Sequence, residues 1–175
     1  MNGNCHFVFG ASLGTAIALN LDKIAPALPH IRNDSEAMTL FILGGLMGGI
    51  FPDIDNPTSH MGQLSAPVST WIGGVGELFG KTGSHHRGIL HDPIVYLLGL
   101  GWAYACCPSL VGFFVGCISH LFLDMFNPAG IPFLLGFKHL RLAKIKSGSN
   151  MSIFFTWICV FIVLLVGLAL HFGAI

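Results

Sequence analysis

Five apolar runs alternate with polar stretches along the chain. The last, MSIFFTWICVFIVLLVGLALHF at 151–172, holds no Asp, Glu, Lys or Arg and meets the ~20 residues that a membrane-spanning helix needs. Four shorter runs precede it: FVFGASLGTAIALNL at 7–21, TLFILGGLMGGIF at 39–51, PIVYLLGLGWAYACC at 93–107 and LVGFFVGCISHLFLDMF at 110–126. Taken singly, each suits a buried core helix or a half-span. Taken together they predict a bundle of short helices, in which Gly10, Gly14, Gly44, Gly45, Gly48 and Gly49 let helices approach closely. The Gly-, Pro- and Ser-rich stretches 54–92 and 127–150 read as long loops. The second contains FKHLRLAKIK at 137–146, a basic amphipathic piece suited to a membrane surface. No internal repeat is visible.

Composition turns the bundle into a membrane protein. Only 9% of the 175 residues are charged and 53% are hydrophobic, whereas soluble domains carry roughly 25% charged residues. So few charges cannot coat a water-facing surface, which excludes an ordinary soluble enzyme and leaves a lipid bilayer as the solvent. The expected fold is all-α: one domain, residues 1–175, forming a polytopic membrane bundle of four to five helices. No Lys or Arg precedes the first apolar run and no clear small-residue cleavage site follows it, so the first helix is expected to be retained. Cys5, Cys106, Cys107, Cys117 and Cys159 lack C-x-x-C spacing and read as packing residues.

The polar residues fall into place once the helices run up and down. His6 precedes the first run, Asp53 and Asp55 follow the second, His86 and His91 precede the third long helix, and His120 and Asp124 end the fourth. Alternation brings all seven to one membrane face. The opposite face receives the 22–36 loop and the turn at Pro108. His120 and Asp124 stand four apart, on one helix face. Imidazoles with carboxylates suit zinc foremost, or a similar divalent ion, at about 2.0–2.2 Å. Three or four donors complete one ion; all seven would suit two or more, bridged by a carboxylate such as Asp53 or Asp55.

Structural roles compete. A histidine at a helix end can be a solvated or capping residue, and PDIDNP can be an Asx-rich turn. Structural roles are expected of His60, His85 and Asp92, and of His30, His139 and His171. No H-E-x-x-H or G-x-S-x-G occurs, which disfavours zincin proteases and serine hydrolases.

The order HFVFG (6–10), PDID, HRGILH, SHLFLD and NPAGIPFL resembles the YdjM-like family, bacterial inner-membrane proteins predicted to be metal-dependent hydrolases. The resemblance runs from residue 6 to about 137. It implies a multi-pass inner-membrane location and a distant relation to zinc phospholipase C and P1-type nucleases, helical enzymes that cut phosphoesters. It also implies metal-ligand roles for His6, Asp55, His86, His91, His120 and Asp124, with Asp53 beside them. Where the family commonly has H-R-G-x-T-H-S, this chain has Leu90 and Asp92 for Thr and Ser; a hydroxyl is lost from the surroundings of the ligands and a carboxylate gained.

Arg87 presents a donor fork matched to phosphate oxygens; a headgroup-facing or Asp92-paired arginine is its structural alternative. Asp53 or Asp92, where uncoordinated, could accept a proton. The expected function is therefore a membrane-embedded, metal-dependent hydrolase of a phosphoester, with a lipid-like substrate because the site lies at headgroup depth. The alternative is a non-catalytic membrane protein with a structural metal, in partner binding or stress response. A metal transporter fits less well, since its site would lie near the bilayer midplane. No nucleic-acid partner is expected, and the oligomeric state has no signature in the chain.

Overall fold

The computed structural model describes residues 3–56, 59–64, 67, 89–134 and 138–174. Each apolar run is a helix, but the polar residues around it set its ends. Helix α1 spans Gly3–Ala18, so His6 sits within its first turns rather than ahead of it. A 61° bend then leads into α2, Leu21–Ile24, and a short 3₁₀ turn. Helix α3 spans Ser35–Gly48 and starts four residues before its apolar run, because Asp34 caps it by accepting from the Ala37 N–H at 2.8 Å. Arg32 braces that cap through Asp34 and Glu36. The short helix α4, His60–Leu64, lies in the loop that follows.

Helix α5, Pro93–Cys106, starts at a proline behind Asp92, whose carboxylate accepts from the Ile94 N–H at 3.0 Å. Asp92 thus has the structural role expected of it. Helix α6 spans Val111–Asp124 and helix α7 Asn150–His171.

Glycine contacts fix how the helices run. Gly10 meets Gly45 and Gly49 while Gly14 meets Phe41, so α1 and α3 are antiparallel. Gly44 faces Gly112 and Gly48 faces Gly116, so α3 and α6 are parallel. Tyr96 packs with Cys117 and Leu121, and Ala103 with Val111, which sets α5 antiparallel to α6. Phe9 shares a cluster with Val160, and Asn20 Nδ2 donates to the Gly167 carbonyl at 2.9 Å, so α7 runs parallel to α1. The expected alternation is present. At the far end Lys23 donates to the Leu170 and His171 carbonyls, where a cation suits a helix C-terminus. His171 Nδ1 lies 2.7 Å from the Leu19 carbonyl, and His30 packs edge-on against Tyr104; both have structural surroundings.

One expectation needs correction and another is met only in part. The fold is not wholly helical: β1, Ile131–Phe133, pairs antiparallel with β2, Lys138–Leu140, inside what reads as loop. Gly130 makes the turn into β1 at φ +67°, where a Cβ would also lie 2.5 Å from the Leu140 carbonyl oxygen. Among the described residues, membrane crossing is clear for one helix only. The 22 residues of α7 reach about 33 Å, enough for a ~30 Å hydrocarbon layer, and Met151, Phe154, Trp157, Phe161 and Leu165 point outward from it. At 14–16 residues, α1, α3, α5 and α6 reach only about 21–24 Å. All five cysteines are free, with Cys5 and Cys117 buried and Cys106 exposed.

Candidate metal centre

Four separate segments bring five expected residues together. His6 comes from α1, His120 and Asp124 from the end of α6. Asp53 sits on a 3₁₀ turn, Phe51–Asp55, with Pro52 as its second residue, just after α3. His91 ends another 3₁₀ turn, Ile89–His91, just before α5. Each turn is held from outside the site. Phe51 packs edge-on against Phe113 at 5.0 Å, and the Ser59 hydroxyl donates to the Asp53 carbonyl at 2.6 Å. Tyr96 donates its hydroxyl to the Leu90 carbonyl at 2.7 Å, tying the His91 turn to α5.

The donor atoms converge. His6 Nε2 is 3.3 Å from Asp124 Oδ1. Asp53 Oδ1 is 3.5 Å from His91 Nε2 and 3.6 Å from His120 Nε2. Asp124 Oδ2 is 3.9 Å from His91 Nε2 and 4.0 Å from His120 Nε2. Donors bound to one ion at about 2.0–2.1 Å stand roughly 3.3 Å apart at a tetrahedral angle and roughly 4.1 Å apart when opposite. The observed separations fall in that interval. The His6 and His120 rings stack at 3.7 Å.

His6, His91, His120 and Asp124 are sealed from solvent, while the Asp53 side chain keeps 13% exposure. The centre therefore opens toward water at Asp53. Burial raises the Asp53 carboxyl, but the neighbouring His91, His120 and His6 rings override it and hold the group well below the ordinary carboxylate range.

The His120 ring shows what the pocket is built for. Its Nδ1 lies 2.8 Å from the Gly49 carbonyl, an end carbonyl of α3. A carbonyl only accepts, so Nδ1 carries the proton and Nε2 is left with its lone pair. That Nε2 and both ring nitrogens of His6 are buried without a hydrogen-bond partner. A buried polar atom so placed costs about 1–3 kcal/mol; an ion at the centre would offset it. The residues fit a divalent cation on this observation.

Two triads could hold it: His6 with His120 and Asp124, and Asp53 with His91 and His120. They share His120, whose single available nitrogen ligates one ion. An ion held by either triad would occupy that nitrogen, so the two triads do not both hold an ion through His120, and a second ion would need further residues. Of the remaining candidates, Asp55 closes its turn, with its side chain outside the described residues; His86 and Arg87 lie in 81–88, also outside them.

Sequence reasoning missed two supports. One is the Gly49 carbonyl. The other is Asn127, buried, whose side-chain amide donates to Asp124 Oδ1 at 2.5 Å. The spacing of three from Asp124 was the available signal, but an Asn before Pro reads first as a turn residue. Asn127→Ala is expected to lower metal affinity by about 10–100-fold, the usual effect of losing a partner that orients a ligand. Competition with a chelating dye would measure it.

Residues 1–174 match the family described as YdjM inner membrane protein. The chain is 31% identical over 97 residues to Inner membrane protein YdjM of Escherichia coli (strain K12), covering 49% of this chain and 43% of that protein. The Shigella flexneri protein of the same name matches to the same extent. The chain thus spans less than half the length of these curated relatives. No solved structure matches.

Proposed function

Starting from the fact that this chain belongs to the YdjM family of inner membrane proteins, we propose that it is a multi-pass, metal-dependent hydrolase acting on a phosphoester at headgroup depth. The observation that carries this reading is the set of buried imidazole nitrogens of His6 and His120 that make no hydrogen bond yet face the Asp124 and Asp53 carboxylates. A bound divalent ion, zinc foremost, would polarise a phosphoryl oxygen and acidify water.

The chain's own residues divide the rest. His6, His91, His120 and Asp124 hold the ion, with Gly49 and Asn127 fixing His120 and Asp124. The position of Asp53 favours a donor role over that of a free base, since its Oδ1 is close to two imidazole nitrogens. Asp53 is also where water reaches the centre. Asp55 and His86 would serve any further ion. Arg87, one residue beyond His86, would clamp substrate phosphate with its donor fork.

A panel of phosphomonoester, phosphodiester and phospholipid substrates, presented to the zinc-loaded protein in detergent, tests the reading. Cleavage of one class that chelator abolishes supports it. No cleavage of any class moves the non-catalytic alternative ahead. That alternative draws on the same burial: an ion held by donors from separate segments would stitch the helix ends together. Arg87→Ala separates binding of metal from binding of substrate. Metal content should stay at the wild-type level, while KM for a phosphate-containing substrate rises about tenfold or more through loss of a charge-assisted bidentate contact. Loss of metal in this variant would make Arg87 a support of the centre instead.

Topology gives a further expectation. Among the described residues, the side of the site carries Lys138, Arg141, Lys144 and Lys146, against Lys23 and Arg32 at the other end. Cytoplasmic loops concentrate Lys and Arg, so the centre should open to the cytoplasm, with the C-terminal end of α7 outside. Alkaline phosphatase fused after Ile175 should be active, and a fluorescent protein that folds only in the cytoplasm should be dark. The reverse pattern would put the centre in the periplasm.

A further inference from the structure

One exposed feature remains unused by the centre. Between the hairpin and α7, four of the chain's eight Lys and Arg residues fall within nine positions: Lys138, Arg141, Lys144 and Lys146. All four are exposed, as is His139. No Asp or Glu occurs after Asp124, and among the described residues none of the four pairs with a carboxylate. Leu142, between the cations, is 59% exposed.

The strip is held in place rather than trailing. The Leu142 N–H donates to the Met125 carbonyl at 2.7 Å and the Ile145 N–H to the Phe126 carbonyl at 2.8 Å. Arg141 Nη1 donates to the Pro128 carbonyl at 3.0 Å, leaving the rest of its fork exposed. The strip therefore follows the turn that carries Asp124 and ends four residues before α7 begins. Since α7 is the membrane-crossing helix, that places the cations at the level of the headgroups.

Helix stability does not explain them. The N-terminus of a helix carries partial positive charge, so cations ahead of α7 are unfavourable there unless an anion intervenes. Lysine and arginine stems with an exposed leucine between them match a surface that is anionic outside and apolar just beneath.

We propose that residues 138–146 form a binding strip for anionic phospholipid headgroups of the bilayer leaflet on the side of the metal centre. The partner is the phosphate and negative charge of the lipid, and Leu142 dips toward the acyl boundary. This goes beyond the hydrolase reading and does not depend on a bound metal.

The test uses the full chain in bilayers of phosphatidylcholine with a minor fraction of phosphatidylglycerol. Spin-labelled lipids report the relative association of each headgroup with the protein. Wild type should prefer phosphatidylglycerol by about fivefold or more at low salt, with the preference falling as salt is raised. The variant K138Q/R141Q/K144Q/K146Q should show no preference, while R32Q, which removes a cation at the opposite end, should behave as wild type. Helical content by circular dichroism checks that the variant folds. The preference should persist after chelator treatment. Loss of preference on chelation would place the headgroup on the metal centre and overturn the strip. Absence of preference in wild type, or its survival in the fourfold variant, would overturn it too and leave the cations to an acidic protein partner.

Discussion

Asp124→Ala is expected to empty the metal centre and destabilise the fold in one step. Its two oxygens face three imidazoles: Oδ1 lies 3.3 Å from His6 Nε2, and Oδ2 lies 3.9 and 4.0 Å from His91 and His120. It also accepts from Asn127 at 2.5 Å. Removing it deletes a ligand and strands a buried amide together. Metal affinity should fall by more than the ~10–100-fold that follows loss of a supporting partner. Stability should fall by about 1–3 kcal/mol for the newly unsatisfied amide, beyond the loss of metal-linked stability. Metal content and thermal unfolding of the same detergent-solubilised preparation read both effects. Retention of stoichiometric metal by Asp124→Ala would remove this residue from the ligand set.

The second large effect is expected far from any ligand. A Cβ on Gly48 would strike the Phe113 carbonyl oxygen and lie 2.8 Å from the Cys117 nitrogen. Both are backbone atoms of α6, so no side chain can swing aside, and α3 and α6 must separate. Overpacking of this kind costs about 1–3 kcal/mol or more. The same separation would draw the neighbouring Gly49 carbonyl away from His120 Nδ1, loosening the ring that both triads share. Gly48→Ala should therefore lower the unfolding temperature and the metal affinity together. Gly101→Ala, on α5 with nothing within 4 Å of its added methyl, should leave both near wild type. A neutral Gly48→Ala would mean that the close approach of the helices does not hold the centre.

How much of this was legible in the chain depends on how local the cause is. The five long helices were readable because each needs only an uninterrupted apolar run. Their alternation, taken as an up-and-down bundle, explains why His6, Asp53, His91, His120 and Asp124 were expected on one face. Helix ends were less legible, because caps set them: Asp34 starts α3 well before Thr39, and α1 extends past His6 to Gly3. The hairpin was not readable, since three-residue strands containing Pro132 and His139 offer too little alternation to distinguish from loop. The Gly49 carbonyl could not be read at all, because a backbone oxygen has no sequence signature. Which triad each residue joins also depended on side-chain direction, which spacing alone does not give.

The central claim is that His6, Asp53, His91, His120 and Asp124, from four segments, form a centre for a divalent ion. Elemental analysis of the full chain, purified in detergent without chelator or added metal, tests it most directly. At least one equivalent of tightly held divalent metal per chain is expected, zinc foremost, with none after Asp124→Ala. A wild-type preparation that is folded yet carries no stoichiometric metal, and takes none up from buffered zinc, would contradict it.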